Sequence, residues 1–279
     1  MRRLFLVILT VLTGIPATSA SGYAAAATEF GTWYQTAKAE KGVLVFVHGG
    51  AFMSGDDSLQ NIHPAVIAMR DRGWSVFSVR YGVVPTLTME QQVLQVIAAV
   101  RSVRRSRPFS SIVLAGHSAG ATLATRAALR VPHAVQGVIN IAGITDFSTW
   151  ATKPRDVAFG FSSGYIANTA LGCRTSGRIG ETTSCSRKVL SSASAVAGVR
   201  ADAPFLYMAY GGRDQVVPVE QGYALLAAYK RAGVNERAWL DVSSESDHAV
   251  RGVNRGYVEA FLALCASQGS RSRSSAYTG

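Results

Sequence analysis

Short apolar runs rich in β-branched residues recur along this chain, and segments with helical patterning separate them. Most of these runs are continuous rather than alternating, which is typical of parallel strands covered on both faces. The predicted strands span residues 42–47, 74–79, 111–115, 137–142, 204–210 and 237–242. The predicted helices span residues 58–72, 88–106, 118–131, 218–232 and 251–265. This alternation predicts a doubly wound, mostly parallel α/β sheet with helices on both faces.

The composition is sufficient for one sizeable core. The chain has 279 residues, of which 48% are hydrophobic, and we predict a single domain over residues 28–266. Residues 145–200 interrupt the alternation and are rich in Gly, Ser and Thr. A segment this long is usually functional, so we predict an insert over the top of the sheet. Residues 267–279 are rich in Ser and Arg, and they are predicted to form a disordered tail.

The N-terminal segment has the three-part plan of a secretory signal peptide. Two arginines, a short apolar run and a group of small residues follow one another, and cleavage is expected near residue 20 or as late as residue 27. A retained anchor is the alternative, but Gly14 and Pro16 interrupt the run before the roughly 20 apolar residues that a span needs. We therefore expect a secreted or periplasmic protein without a stable membrane anchor.

The chain is strongly basic. Its formal net charge is +11, and a charge of this sign can attract nucleic acid. Most of the basic residues are scattered, however. One cluster, at residues 101–108, lies at the end of a predicted helix, where cations suit the helix dipole. A second cluster, at residues 270–275, lies in the predicted tail. We interpret this charge as solvated surface and expect no nucleic-acid partner.

The pattern Gly-x-Ser-x-Gly occurs twice, as GHSAG at residues 116–120 and as GFSSG at residues 160–164. The pattern alone is weak evidence, because glycine accounts for 27 residues of the chain. Ser118 lies between a predicted strand and a predicted helix, which is the context of a nucleophilic serine. Ser162 lies inside the insert, and no buried strand precedes it. We predict Ser118 as the nucleophile, the alternative being an ordinary serine at a strand-to-helix turn.

A nucleophilic serine needs a base and a group that orients the base. Among the five histidines, His248 alone follows the last predicted strand, on a loop at the carboxyl edge of the sheet. Asp214 follows the penultimate strand at the same edge. Asp202 precedes that strand, and Asp241 lies within the last one. Asp247 adjoins His248, where a neighbour rarely reaches the ring with good geometry. We therefore predict His248 as the base and Asp214 as its orienting acid.

A His-Gly-Gly loop follows the first predicted strand. Glycines allow a backbone to turn its N–H groups toward a reacting oxygen, and we predict an oxyanion hole made of Gly49, Gly50 and Ala119. A glycine-rich turn without a catalytic role is the alternative. Phe52 and Met53, just after this loop, are candidates for an apolar wall of the substrate pocket, although Phe52 is equally a candidate for the core.

Three cysteines are present. Cys173 and Cys185 lie in the insert, and an exported chain meets an oxidising compartment, so we predict a disulfide between them. Cys265, on the last predicted helix, is then a buried thiol. The alternative is that all three are free. The predicted chemistry requires no metal and no organic cofactor.

Four motifs occur in the order HGGAF, GHSAG, GGRDQVVP and DHAV. With them the chain resembles the α/β-hydrolase serine esterases related to hormone-sensitive lipase and to the bacterial feruloyl-esterase-like and kynurenine-formamidase-like groups. The resemblance covers roughly residues 40–265 and follows the order serine, acid, histidine that these hydrolases share. It implies the α/β-hydrolase fold and the cleavage of carboxylic esters or related amides through an acyl-enzyme.

The sequence departs from the hormone-sensitive-lipase branch in three places. VRYGVVPT stands where that branch has Tyr-Arg-Leu-Ala-Pro-Glu, GHSAG replaces Gly-Asp-Ser-Ala-Gly, and Ala51 replaces a third glycine. These differences favour the feruloyl-esterase-like or formamidase-like branches. The insert lacks the amphipathic stripe of a lipase lid, so we expect esters with acyl chains of roughly two to six carbons, or small aromatic esters. An amidase or formamidase with the same residues is one alternative, and a catalytically silent binding protein is another.

Overall fold

The computed structural model of the protein describes residues 25–276 apart from residues 109, 154, 155, 159 and 179. The predicted signal peptide at residues 1–20 lies outside the described residues. The strands are β1 (Ala25–Thr28), β2 (Gly31–Tyr34), β3 (Gly42–Val47), β4 (Trp74–Val79), β5 (Ile112–His117), β6 (Gly137–Ile141), β7 (Asp156–Ala158), β8 (Phe161–Ser162), β9 (Phe205–Gly211) and β10 (Ala238–Ser243).

Eight of these strands form the central sheet, in the order β1-β2-β4-β3-β5-β6-β9-β10. β2 pairs antiparallel with both β1 and β4, and every other pair in the sheet is parallel. β7 and β8 form a separate antiparallel pair within the insert. The predicted mostly parallel sheet is therefore confirmed, and the carboxyl ends of β3, β5, β6, β9 and β10 meet at one edge.

The helices are α1 (Pro64–Ile67), α2 (Met89–Ser106), α3 (Ala119–Arg130), α4 (Phe147–Trp150), α5 (Ser163–Leu171), α6 (Arg187–Ala193), α7 (Glu220–Arg231) and α8 (Arg255–Ala276). Alternate residues of β3 pack on opposite faces of the sheet, as the strand period of two requires. Val45 joins α2, α3 and α7 in one hydrophobic core. Phe46 joins α1 and α8 in the other. Helices thus cover both faces.

The prediction of one continuous helix over residues 58–72 is wrong. The segment consists of two 3-10 turns on either side of the short helix α1. Pro64 has no N–H and disfavours helical geometry at the residue before it, and His63 is accordingly extended at φ −58° and ψ 135°. Gly73, at φ 97°, ends the second turn. Local backbone chemistry therefore outweighs the helical pattern here.

The two ends of the described chain also differ from expectation. α8 begins at Arg255 rather than residue 251 and continues through Ala276, over most of the segment predicted as a disordered tail. No proline interrupts this segment, and extending an existing helix costs far less than nucleating a new one. The alanine-rich sequence of β1 lacks an alternating pattern, so this edge strand was not predicted.

The insert at residues 145–200 is more ordered than its composition indicates. It contains α4, the β7–β8 pair, α5 and α6. The predicted disulfide between Cys173 and Cys185 is present, with a Cα–Cα distance of 5.4 Å. Asn168, buried on α5, accepts the backbone N–H of Ser184 at 2.7 Å. Cys265 is a buried free thiol. Among the described residues, no helix is long and apolar enough to cross a membrane.

Candidate active site

Ser118 lies at the junction between β5 and α3, with φ 54° and ψ −126°. Residues other than glycine rarely adopt this conformation. The junction is tight. A Cβ on Gly116 would lie 2.5 Å from the backbone of Gly120, and a Cβ on Gly120 would lie 2.1 Å from the carbonyl oxygen of Val47. The backbone N–H of Ser118 donates to the carbonyl of Ile141 at 2.8 Å. The two glycines of GHSAG are therefore needed for this close approach.

The structure brings Ser118, Asp214 and His248 into one hydrogen-bonded chain. His248 Nε2 lies 2.9 Å from Ser118 Oγ, and His248 Nδ1 lies 2.8 Å from Asp214 Oδ2. The carboxylate of Asp214 is fully buried, and its other oxygen accepts the backbone N–H groups of Val216 at 2.8 Å and Val217 at 2.9 Å. Because a carboxylate only accepts, His248 donates Nδ1–H to it and leaves Nε2 free to accept the serine proton.

Two further histidines hold the loop that carries His248, and sequence reasoning gave them no role in the site. His117 donates from Nε2 to the carbonyl of His248 at 2.8 Å. His63 donates from Nε2 to the next carbonyl, that of Ala249, at 2.9 Å, and its Nδ1 accepts the N–H of Ala65. Both His117 and His63 thus fix the loop at consecutive carbonyl groups.

The environment keeps these two histidines neutral near pH 7. Burial, followed by repulsion from His248, lowers the pKa of His117 to about 4. Burial also lowers the pKa of His63. The ring centroids of His117 and His248 are 5.1 Å apart. The ring beside His248 is therefore uncharged at this pH.

The loop after β3 has an unusual run of left-handed residues. Gly50 has φ 116°, and Ala51 and Phe52 follow at φ 53° and 66°. The carbonyl of Phe52 accepts two donors at 3.0 Å, the backbone N–H of Val84 and the side-chain amide of Gln92. The loop is therefore held in this conformation from the adjacent segment and from α2.

The residues predicted for the oxyanion hole lie next to Ser118. A Cβ on Gly49 would be 3.4 Å from the Cβ of Ser118. Ala119 is the first residue of α3, so its N–H has no acceptor within the helix. His48, just before the glycines, stacks on Tyr81 with ring centroids 4.2 Å apart and accepts the Tyr81 hydroxyl on its carbonyl at 2.8 Å. This stacking braces the start of the loop.

A narrow cavity of about 20 Å³ adjoins Ser118. It is lined by Ala51, Phe52, Ser118, Ala119, Ile144, Trp150, Ile166, Val216 and Val217. Phe52 thus both lines the cavity and belongs to the core, whereas Met53 is half-buried and packs against the core. Trp150 and Ile166 come from the insert, and no periodic signal in the sequence singled them out.

The second pentapeptide has a different structural role. Ser162 is the N-cap of α5, where its Oγ accepts the N–H of Tyr165 at 3.1 Å. Its hydroxyl donates to the carbonyl of Glu181 at 2.6 Å. Both contacts lie within the insert, so Ser162 caps a helix and ties it to the disulfide-closed segment.

The chain was compared with protein families, with curated proteins and with solved structures. The sequence profile of the BD-FAE family matches residues 33–229. Esterase LipC from Mycobacterium tuberculosis is 26% identical over 253 residues, covering 83% of this chain and 59% of the relative. The chain therefore spans somewhat more than half the length of that curated relative.

Two solved structures with similar folds are named as an esterase and a lipase. A truncated carbohydrate esterase from gut microbiota superposes with a TM-score of 0.66 at 18% identity, covering 86% of this chain and 90% of that one. A hormone-sensitive lipase from a metagenome library has a TM-score of 0.60 at 16% identity, with coverage of 86% and 80%. These likenesses establish the α/β-hydrolase fold. Since the family profile spans most of the chain, this protein belongs to the BD-FAE family of α/β-hydrolase esterases.

Proposed function

We propose that this protein is a secreted serine hydrolase that cleaves carboxylic esters with short acyl groups through an acyl-enzyme on Ser118. The observation that supports this most strongly is the hydrogen-bonded chain from Ser118 through His248 to the buried Asp214. Membership of an esterase family and the similarity to Esterase LipC agree with ester chemistry.

In the proposed first step, Ser118 Oγ attacks the carbonyl carbon of the ester while His248 Nε2 takes the hydroxyl proton. Asp214 holds Nδ1–H and stabilises the imidazolium that forms. The N–H groups of Gly49, Gly50 and Ala119 bind the oxyanion. The tetrahedral intermediate then expels the alcohol, whose oxygen takes the proton from His248, and leaves the acyl group on the serine.

In the second step, a water molecule replaces the alcohol. His248 removes a proton from this water as its oxygen attacks the acyl carbon. The second tetrahedral intermediate releases the carboxylic acid, and Ser118 Oγ takes the proton back from His248. Only the named side chains, backbone N–H groups and water take part in these steps.

Export is the second part of the proposal. The disulfide between Cys173 and Cys185 supports it, because such bonds persist in oxidising compartments. The predicted signal peptide agrees, and residues 25–28 already belong to β1, so cleavage near residue 20 preserves the sheet. Mass spectrometry of the protein from the culture medium or the periplasm tests this. A mature N-terminus between residues 20 and 25 is expected, whereas an intact leader on the recovered protein would contradict export by cleavage.

A fluorophosphonate probe tests the nucleophile directly. We expect the purified protein to be labelled on the peptide that contains Ser118, and Asp214→Asn to slow labelling by about 10⁴-fold, since the wrong tautomer of His248 is then favoured. Ser162→Ala serves as the control and should label normally. A folded protein without any labelling would instead favour a catalytically silent binding protein.

A pair of substrates separates the two hydrolytic activities. Hydrolysis of p-nitrophenyl acetate, together with little or no turnover of an N-formyl aromatic amine, is the expected result. The opposite preference would assign the same residues to an amidase or formamidase.

A further inference from the structure

The cavity beside Ser118 is very small for a substrate pocket. Its volume of about 20 Å³ is enough for roughly one water-sized group, and a methyl group is of similar size. Three of its walls are almost completely buried: Phe52 is 0% exposed, Ile166 2% and Trp150 3%. The space next to the reacting serine is therefore closed by the core on one side and by the insert on the other.

The lining of the cavity shows which half of an ester it receives. Ser118 and Ala119 line it, and His248 does not. The alcohol oxygen must take its proton from His248 Nε2 when the acyl-enzyme forms, so the alcohol lies on the histidine side of the serine. The substituent that points into the cavity is consequently the acyl chain.

Trp150 is held firmly in its position. Its indole Nε1–H donates to the carbonyl of Val216 at 2.8 Å. Its ring meets Phe147 edge to face, with centroids 5.9 Å apart and planes at 89°. Phe147 is fully buried and packs in turn beside Phe52, at a centroid distance of 6.3 Å. Movement of Trp150 away from the cavity would break this hydrogen bond and the packing against Phe147, so a longer chain that displaces the indole loses both contacts.

Ile166 closes the cavity from α5. The helix is anchored at its start by the Ser162 cap and near its end by Asn168, whose Oδ1 accepts the N–H of Ser184. The disulfide joins Cys173, just past the helix, to Cys185. The position of Ile166 therefore depends on the ordered insert.

We infer that Trp150 and Ile166 set the acyl specificity of this enzyme and restrict it to acetyl and propionyl esters, since the cavity accepts little more than one methyl group. The inference rests on the proposed ester hydrolysis at Ser118. It narrows the expected range of acyl chains and assigns the limit to two residues of the insert.

The test is a series of p-nitrophenyl esters from acetate to octanoate, measured as kcat/KM. The wild-type protein should be fastest with acetate or propionate and fall steeply from butanoate onward. Ile166→Ala and Trp150→Ala should each raise the ratio of hexanoate to acetate about tenfold, which corresponds to room for about two more methylene groups. Leu190→Ala is the matched control, because Leu190 is a buried residue of the insert that lies outside the cavity lining.

Several outcomes would overturn the inference. One is a wild-type maximum at butanoate or longer, and another is an unchanged ratio in Ile166→Ala, a variant that decides the matter alone if Trp150→Ala does not fold. A change in Leu190→Ala equal to that in Ile166→Ala would also refute it. A second series uses acetates of alcohols of increasing length. If the variants change the preference for the alcohol and leave the preference for the acyl chain unaltered, the inference is also refuted.

Failure of the proposed function has a different signature. Fluorophosphonate labelling at a residue other than Ser118, or absence of hydrolysis of every ester, would refute both statements. An active enzyme labelled at Ser118 with an unaltered acyl ratio in Ile166→Ala would refute the specificity inference alone.

Discussion

The two Gly-x-Ser-x-Gly pentapeptides share a pattern, and each serine lies at the start of a helix, but their backbone conformations and contacts differ. In the first, Ser118 has φ 54° between a central strand and a helix. In the second, Ser162 is extended at φ −74° and ψ 159°, the normal geometry of an N-cap. The residue before each serine differs as well, because His117 binds the carbonyl of His248 whereas Phe161 stacks on Tyr165 at 4.6 Å.

The first glycines of the two pentapeptides differ. A Cβ on Gly116 would lie 2.5 Å from the backbone of Gly120, while a Cβ on Gly160 has no described atom within 4 Å. The last glycines are both closely packed, but against different elements. A Cβ on Gly120 would meet the carbonyl oxygen of Val47, at the end of β3, at 2.1 Å, and a Cβ on Gly164 would meet that of Glu181, within the insert, at 2.4 Å. The same pattern therefore joins elements of the central sheet in one place and segments of the insert in the other.

Replacement of the two serines should give the largest contrast. Ser118→Ala is expected to lower kcat for p-nitrophenyl acetate by about 10⁴-fold or more, since the nucleophile is lost. Ser162→Ala should retain most of the activity. Circular dichroism of both variants checks that the fold survives. Loss of activity in Ser162→Ala together with its retention in Ser118→Ala would reverse the assignment.

The glycines should differ in stability. Gly120→Ala places a methyl group against the backbone oxygens of Val47 and His48, and we expect it to destabilise the fold by at least about 3 kcal/mol. Gly160→Ala meets no such contact and should cost only about 1–2 kcal/mol, the cost of a left-handed conformation for alanine. Urea denaturation measures both. Equal losses in the two variants would show that the close approach at Gly120 relaxes easily.

The residues before the serines should differ in pH dependence. The folded-state pKa of His117 is about 4, below the unfolded value of about 6.5. The unfolded chain therefore binds more protons than the folded chain between these two pH values. The contribution of neutral His117 to the free energy of unfolding is fully present above pH 6.5 and is lost as the pH falls toward 4. Between pH 6.5 and pH 4, the free energy of unfolding of His117→Asn should therefore fall by up to about 3 kcal/mol less than that of the wild-type protein.

Phe161→Leu provides the control for that measurement, since it changes the equivalent position of the other pentapeptide without removing a titratable group. Denaturation midpoints from pH 4 to 7.5 are compared for the three proteins. Part of the dependence of the midpoint on pH should remain in His117→Asn, because burial also lowers the pKa of His63 and of His48. An identical slope in wild type and His117→Asn would contradict the prediction.

The smallest effect is expected from the cap itself. Ser162→Ala removes the acceptor for the N–H of Tyr165 and the donor to Glu181, at a cost of about 1–2 kcal/mol. Ser162→Thr keeps both groups and should restore most of the stability. Thermal unfolding measures the difference, and a threonine variant as unstable as the alanine variant would argue against a capping role.

The sequence was sufficient for the sheet and for the grouping of Ser118, Asp214 and His248. Each residue follows a strong apolar strand, and parallel strands bring their carboxyl ends to one edge of a sheet. Order along the chain therefore translates directly into proximity in space. The cavity walls formed by Trp150 and Ile166 could not be obtained in this way. Trp150 and Ile166 lie on short helices of the insert, and their positions depend on contacts with distant residues such as Val216.

One local backbone effect and several tertiary contacts account for the other differences. Pro64 divides a segment whose side-chain pattern favours a helix. The support that His117 gives to His248 joins residues 131 positions apart. A composition rich in small polar residues indicated a loop, whereas a disulfide and a network around Asn168 order the insert. Tertiary contacts determine such features, and the spacing of apolar residues along the sequence does not indicate them.

The loop after β9 has a consequence for how this enzyme can diversify. Through its N–H groups the backbone of Val216 and Val217 holds the carboxylate of Asp214, and through its carbonyl Val216 holds Trp150. Under the proposed function, one peptide segment therefore positions both the orienting acid and a wall of the cavity beside Ser118. Under the proposed function, a substitution of Trp150 that admits bulkier substrates removes a contact to the segment that holds Asp214, whereas a substitution of Ile166 leaves the hydrogen bonds of that segment in place. Adaptive changes in related sequences should consequently accumulate on the helix of Ile166 and spare the tryptophan.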